Sequence, residues 1–238
     1  MKALLLSAGL GTRLRPLTNS IPKCLVPIDG KPLLHYWLEN LSQAGVSEFL
    51  INTHYLHNQV EDFVNNSKFK NQITLVYEEE LLNTGGTLLK NKNFFNKGES
   101  FFLVHADNFS ICNFKEFINI HEKNMDTIMT MMLFETDDPK SCGIVELDEK
   151  NVVIKFHEKV NNPPSNLANG AVYICKYDIF EYLENLNKDN IDFSNEVIPN
   201  FLGRIDTYLN RVYHRDIGTI ESYNKALLDY ELLYKGKK

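Results

Sequence analysis

No stretch of this 238-residue chain approaches the roughly 20 consecutive apolar residues that a membrane span needs, so no membrane partner is expected. No C-x-x-C occurs either. Cys24, Cys112, Cys142 and Cys175 stand alone, without histidine or cysteine at ligand spacing. Scattered single thiols argue against a disulfide framework or a zinc site and for a reducing, cytoplasmic setting. Positive charge is scarce: 25 Lys and Arg face 31 Asp and Glu, a net charge of −6. No nucleic-acid partner is therefore expected, and any basic cluster must serve something local and small. The opening MKALLLSAGL imitates a leader, but its apolar part is short and GTRLRP follows it, which speaks against export. Repeats and low-complexity linkers are missing as well. A single domain over residues 1–238 is expected, with a core large enough to need no staples.

What is present is an alternation of short apolar runs and helical patterns. ALLLSA, SEFLINT, QITLVYE and SFFLVHAD read as strands. KPLLHYWLENLSQAG, LHNQVEDFV and FKEFINIHEKN read as helices, and TGGTLLKNKNFF as a small-residue turn running into a helix. The rhythm predicts an α/β fold with a mixed, mostly parallel sheet flanked by helices. It changes near residue 126, where TIMTMMLF, GIVELD, VVIKFHEK and ANGAVYIC follow one another as strands. TIESYNKALLDYELLY reads as a last helix, and KGKK as a frayed basic tail.

Ligands of open α/β sheets sit beyond the carboxyl ends of the strands. Three polar clusters fall at such ends: Ser7–Lys23 after the first strand, Asn83–Thr87 after the third, and Asp107 after the fourth. In GLGTRLRPLTNSIPK, glycines let backbone N–H groups approach a phosphate, Arg13 offers a fork and Lys23 a point charge. The same stretch also fits a surface loop with solvated arginines. A dinucleotide fingerprint would need a small residue where Leu14 stands. A Walker A loop would need glycine at Leu25 and Ser or Thr at Pro32. Asp107 ends an apolar strand, where a carboxylate needs water, a partner or a cation; a helix soon follows, so an N-cap role fits too. Asp216 fits a turn before Gly218 or a partner for Arg215, and Asn169 a turn before Gly170. The Glu158–Lys159 step and the run Glu78–Glu80 also suit plain solvation, and the dispersed histidines form no nucleophile system, although His105 lies beside Asp107.

The pattern G-x-G-T-R-x-x-P-x-T-x-x-x-P-K from Gly9 to Lys23 resembles the signature of the sugar-1-phosphate nucleotidylyltransferases. The likeness runs on through NTGGTL, HAD, SCGIVELD, HEK, LANGAVYI and RDIGTIESY in the family's order. It is similar to the short, mannose-1-phosphate guanylyltransferase-like form, with no C-terminal acyltransferase or β-helix domain after the last helix. The resemblance implies the Rossmann-like nucleotide-diphospho-sugar transferase fold, with a nucleotide half at about 1–125 and a sugar-phosphate half at about 126–238. It implies catalytic roles for Arg13 and Lys23 on the triphosphate. Leu6, Ala8, Gly9, Gly11, Thr12, Glu80, Asn83, Gly85 and Ala106 would surround the nucleotide. Gly143, Glu158, Lys159 and Asn169 would hold the sugar phosphate, and Asp107 and Asp216 would bind Mg²⁺. Three positions depart from the pattern: Ala106 and Asn83 stand where glycine is usual, and Gly86 where alanine is.

The implied reaction joins a nucleoside triphosphate to a sugar 1-phosphate and releases pyrophosphate. GTP with mannose 1-phosphate or a related sugar leads; UTP or dTTP with another sugar follows. A non-catalytic nucleotide-sugar sensor is the rival from another class, and loss of Arg13, Lys23, Asp107, Lys159 or Asp216 would favour it; all are present. A homodimer is left open.

Overall fold

Leu4 and its neighbours Ala3 and Leu5 point to opposite faces of β1 (Lys2–Leu6), and both faces are buried. Leu4 packs with Leu50 and Leu103 in one core, while Ala3 and Leu5 pack with Phe49, Ile51, Phe102 and Val104 in another. That double burial is why the strand reads as a continuous apolar run rather than an alternating one.

The computed structural model describes residues 1–124 and 126–234. β1 is flanked in parallel by β4 (Glu48–Thr53) and β6 (Ser100–His105), and β5 (Ile73–Tyr77) extends the sheet from β4. Between β1 and β4 lie the two-residue strands β2 (Pro27–Ile28) and β3 (Lys31–Pro32) and the helix α1 (Leu33–Gln43). α2 (His57–Asn65) and α3 (Asn83–Lys90) make the next crossovers. β7 (Asn108–Ile111) and α4 (Phe114–Lys123) follow β6.

The second half adds β8 (Met129–Glu135), β9 (Gly143–Leu147), β10 (Val153–Glu158) and β11 (Leu167–Lys176), then α5 (Ile179–Asn185), β12 (Ile205–Leu209), β13 (Tyr213–Asp216) and α6 (Ile220–Tyr234). β11 runs antiparallel to β6 and welds the halves into one nine-stranded sheet, ordered β10-β9-β11-β6-β1-β4-β5, with β8 on β11 and β12 parallel to β8. The expected mixed sheet flanked by helices is what forms. No helix among the described residues is long and apolar enough to cross a membrane.

Two local readings change. Asp107 is followed by a strand, β7, and not by a helix; α4 begins later and takes its cap from Asn113, whose Oδ1 accepts from Glu116 N–H at 3.2 Å. Gly85 and Gly86 do not form a turn ahead of α3 but lie inside it. A Cβ on Gly86 would stand 2.0 Å from the Asp189 carbonyl oxygen, and one on Gly85 2.6 Å from Ile191 Cγ2. Their small size serves close helix packing. The short elements β7, β12, β13 and α5 had no clear signal in the sequence. The expected basic tail, Lys235–Lys238, lies outside the described residues.

Candidate active site

The chain leaves β1 in a loop whose shape is fixed from below. Ser7 N–H donates to Asn52 Oδ1 at 2.7 Å, tying the loop's start to the end of β4. Gly11 turns the chain at φ 62, and its carbonyl accepts from Thr18 Oγ1 at 2.7 Å; a Cβ there would meet Thr18 Cγ2 at 3.0 Å. Underneath, Leu14, Val26, Ile28 and Leu33 join Phe109, Ile217 and Ala226 in a third apolar cluster. The apolar residues anchor the loop, so its charges are left on top: Arg13 and Arg15 are exposed, and Lys23 turns inward, 7% exposed.

Lys23 finds two carboxylates. Its Nζ lies 2.7 Å from Asp107 Oδ2 and 3.3 Å from Asp216 Oδ1. Sequence distance is overcome by one small ladder. β7 and β13 pair antiparallel with Asn108 opposite Asp216, which sets Asp216 beside Asp107. The Trp37 indole N–H holds that junction by donating to Asn108 O at 2.9 Å. Burial alone would push the Lys23 ammonium down, but the two carboxylates outweigh it and hold its pKa above the ordinary value. Burial would likewise raise Asp107, and the Lys23 charge keeps it below the usual carboxylate range. Arg13 adjoins the pair: a Cβ on Gly218 would lie 2.7 Å from Asp216 Oδ2 and 3.2 Å from Arg13 Nη2.

This donor set fits a hard divalent cation. Two carboxylate oxygens already converge on one positive charge, the Lys23 ammonium, which stands in for an ion. No group of three or more His, Cys, Asp or Glu gathers as a metal cluster among the described residues. The remaining positions would fall to phosphate oxygens and water, as Mg²⁺ prefers.

Beside the pair opens a cleft of about 200 Å³ at the carboxyl ends of β1, β4, β5 and β6. Of the residues expected around a nucleotide, Leu6, Ala8, Gly9 and Asn83 line it, together with Lys23 and Asp107. The others do not. Gly11 shapes the loop, Thr12 is exposed in its helical turn, Gly85 is packed against Ile191, and Ala106 is fully buried. Glu80 faces a neighbouring cavity with Glu79, Lys90 and Asp189. In its place Glu78 lines the cleft, 1% exposed, with Oε1 lacking any hydrogen-bond partner among the described residues. Its N–H donates to Thr53 O at 2.9 Å, prolonging the β4–β5 ladder and pinning it at the strand's end. Position in the triplet was the missed signal, since the first glutamate after the strand is the one the sheet holds. Ser7, Asn52, Thr84, Thr87 and His105 are further lining residues that sequence reasoning passed over as ligands. Burial lowers the His105 pKa below its ordinary value, and its Nε2 lies 3.2 Å from Thr84 Oγ1, linking β6 to the first turn of α3.

At the other end, the β9–β10 register sets Glu158 opposite Gly143, and a Cβ on Gly143 would lie 2.7 Å from Glu158 Oε2. Lys159, exposed and at φ 49, places Nζ 3.1 Å from Glu158 Oε1, and its charge reaches His105 beside Asp107. Asn169 sits at the irregular stretch of β11. Its Nδ2 donates to the Tyr173 hydroxyl at 2.7 Å and its Oδ1 accepts from Ala171 N–H at 2.9 Å. Arg215 is engaged elsewhere, with Asp137 and Asp229, so it is not the partner of Asp216.

The chain matches the nucleotidyl transferase family over residues 2–232. It is 29% identical over 232 residues to the mannose-1-phosphate guanylyltransferase of Mycobacterium tuberculosis, covering 95% of this chain and 64% of that protein. With probable mannose-1-phosphate guanylyltransferase 3 of Oryza sativa it shares 35% identity over 189 residues, 77% of this chain and 52% of that one. It thus spans about half to two thirds of the length of these curated relatives. Among solved structures, HddC from Yersinia pseudotuberculosis complexed with GMP-PN superposes with a TM-score of 0.80 at 27% identity, covering 96% of this chain and 99% of that one.

Proposed function

This chain belongs to the nucleotidyl transferase family, and from that premise we propose that it transfers a nucleoside monophosphate from a nucleoside triphosphate to a sugar 1-phosphate. The observation that carries the reading is the meeting of Lys23, Asp107 and Asp216 beside a cleft beyond the strand ends, which Lys23 and Asp107 line. A basic loop for a triphosphate and two carboxylates for a cation share one point in space.

The acceptor's own phosphate oxygen is the nucleophile, already ionised at neutral pH, so no general base is required. It forms a bond to the α-phosphorus while the bond from that phosphorus to the bridging oxygen breaks, and the electron pair leaves on pyrophosphate. Catalysis is then positioning and charge neutralisation. Arg13 and Lys23 neutralise the triphosphate and its departing pyrophosphate. Lys159, steadied by Glu158, aims the attacking phosphate. Gly143 leaves room for the Phe156 ring and the Glu158 carboxylate, which any larger residue would displace. Held by Asp107 and Asp216, Mg²⁺ would supply electrophilic stabilisation of charge on the α-phosphate. In this reading residues of about 1–125 would serve the nucleotide and those of about 126–238 the sugar phosphate.

For the base we propose guanine, with mannose 1-phosphate or a related sugar as acceptor. Glu78 offers only acceptors, and its Oε1 is unsatisfied. Guanine presents two adjacent donors, N1–H and N2–H, that an ionised carboxylate can take together. Uracil and thymine present one N–H between two carbonyls, which a carboxylate repels and an amide would suit. The M. tuberculosis and O. sativa relatives are named as guanylyltransferases, and the HddC structure holds GMP-PN.

The shared-cation arrangement is tested by Asp107→Asn, Asp216→Asn and the double variant. Each single change should cut kcat by orders of magnitude, and the double should be little worse than either. Additive losses would place the two carboxylates at separate tasks and overturn the reading.

A further inference from the structure

Among the described residues, the recorded polar partners of the Lys23 ammonium are Asp107 and Asp216 alone. Its stem is fixed. Lys23 opens a helical turn between Pro22 and Val26, and its Cβ lies 3.4 Å from where a side chain on Gly11 would begin. The side chain is 9% exposed, so its charge points into the site and not to solvent. Two carboxylates that suit a divalent ion are therefore bridged, and half their charge offset, by a lysine on the same loop that would hold a triphosphate.

A second cation cannot be added to this arrangement cheaply. An ammonium and a divalent ion sharing the same two carboxylates would repel at close range in a half-buried setting. Something must draw the ammonium off first, and a triphosphate offers several anionic oxygens beside Lys23, which lines the cleft with Gly9 and Ala8.

We propose that Lys23 is an internal counter-cation that keeps the Asp107–Asp216 pair closed to divalent ions until a triphosphate takes its ammonium over. This rests on the nucleotidyl-transfer reading of the site. The nucleotide-free chain binds a divalent ion weakly, and the ion and the triphosphate enter together. Because coupling between two ligands is reciprocal, each tightens the other's binding. Lys23 thus carries two duties in turn, first as surrogate for the metal and then as a phosphate ligand.

The test uses Mn²⁺ alone as probe, counted by the electron paramagnetic resonance signal of the free ion, on nucleotide-free protein. Lys23→Met should bind Mn²⁺ at least about tenfold more tightly than the unchanged chain. Lys23→Arg, which retains the charge, should stay weak, and Lys23→Met combined with Asp216→Asn should lose the gain. Removing the lysine leaves two carboxylates facing each other, so the thermal midpoint should fall without metal and recover with Mn²⁺, more steeply than in the unchanged chain. If Lys23→Met binds Mn²⁺ no more tightly and its midpoint does not respond, the counter-cation role is wrong. That failure is separable from failure of the reaction itself: nucleotide-sugar formation by the unchanged chain, dependent on Mg²⁺ and Asp216, would leave the transferase reading standing.

Discussion

Replacing Glu78 by glutamine exchanges one carboxylate oxygen for an amide nitrogen in a residue that is 1% exposed and lines the cleft. Glu78 Oε1 has no hydrogen-bond partner among the described residues, so the change should cost little inside the fold and the thermal midpoint should hold within a few degrees. Its effect should fall on the base. A hydrogen bond to a charged group contributes about 1.5–3 kcal/mol. At 1.4 kcal/mol per decade, Glu78→Gln should lower kcat/KM for GTP by about 10–150-fold. An amide can accept from uracil N3–H and donate to a flanking carbonyl, so kcat/KM for UTP should not fall and the GTP-to-UTP ratio should move by at least about tenfold. Pyrophosphate release with a saturating sugar 1-phosphate measures both. An unchanged ratio in a correctly folded variant would refute the argument that Glu78 reads the base. The same change at Glu80, which faces the neighbouring cavity, should leave the ratio alone and serves as control.

Lys159 is exposed and, among the described residues, ion-paired with Glu158 alone, so Lys159→Ala should raise KM for the sugar phosphate far more than KM for the triphosphate; initial rates with each substrate varied in turn will show it. Interchanged effects would mean that the two phosphate positions have been assigned the wrong way round. Stability should also decline in mild acid. Burial holds His121 down to about 4, against about 6.5 in an unfolded chain, while its ring nitrogens bond Thr130 Oγ1 and Ser100 Oγ, both at 2.8 Å. The folded state resists protonation that the unfolded state accepts. The stabilisation is therefore complete above about pH 6.5 and lost as pH falls toward 4, at up to about 1.4 kcal/mol per pH unit. Urea melts from pH 7.5 to 4.5 should show this slope, and His121→Gln should flatten it; an equal slope in both would assign the acid sensitivity elsewhere.

Elements that bury both faces of the sheet could be read from the chain because their apolar runs have no other use. β1, β4 and β6 are of this kind, and so are the helices between them. β7 and β13 could not be read that way. Each spans four residues, and their ladder exists to set Asp216 opposite Asn108, a long-range pairing with no local pattern. The Gly-rich loop was legible as a phosphate-binding shape, yet its partner carboxylates were connected to it only through the family resemblance. The Lys23 contacts make that connection physical. Glu80 and Glu78 mark the resolution of such reading. A run of three glutamates says that a carboxylate is near the strand end, and only the backbone hydrogen bond from Glu78 to Thr53 decides which of them faces the cleft. Gly85 and Gly86 teach the reverse lesson, since glycines that looked like a ligand-binding turn are there to let α3 approach Asp189 and Ile191.

We propose that the acceptor's phosphate attacks the α-phosphorus of a nucleoside triphosphate. This attack is tested most directly by incubating the chain and Mg²⁺ with each of GTP, UTP and dTTP, alone and paired with mannose 1-phosphate and other sugar 1-phosphates, while measuring pyrophosphate and nucleotide-sugar together. Pyrophosphate and nucleotide-sugar should appear in equal amounts, only when both substrates are present, and highest with GTP. Release of inorganic phosphate or nucleoside diphosphate, or turnover indifferent to the sugar phosphate, would contradict it.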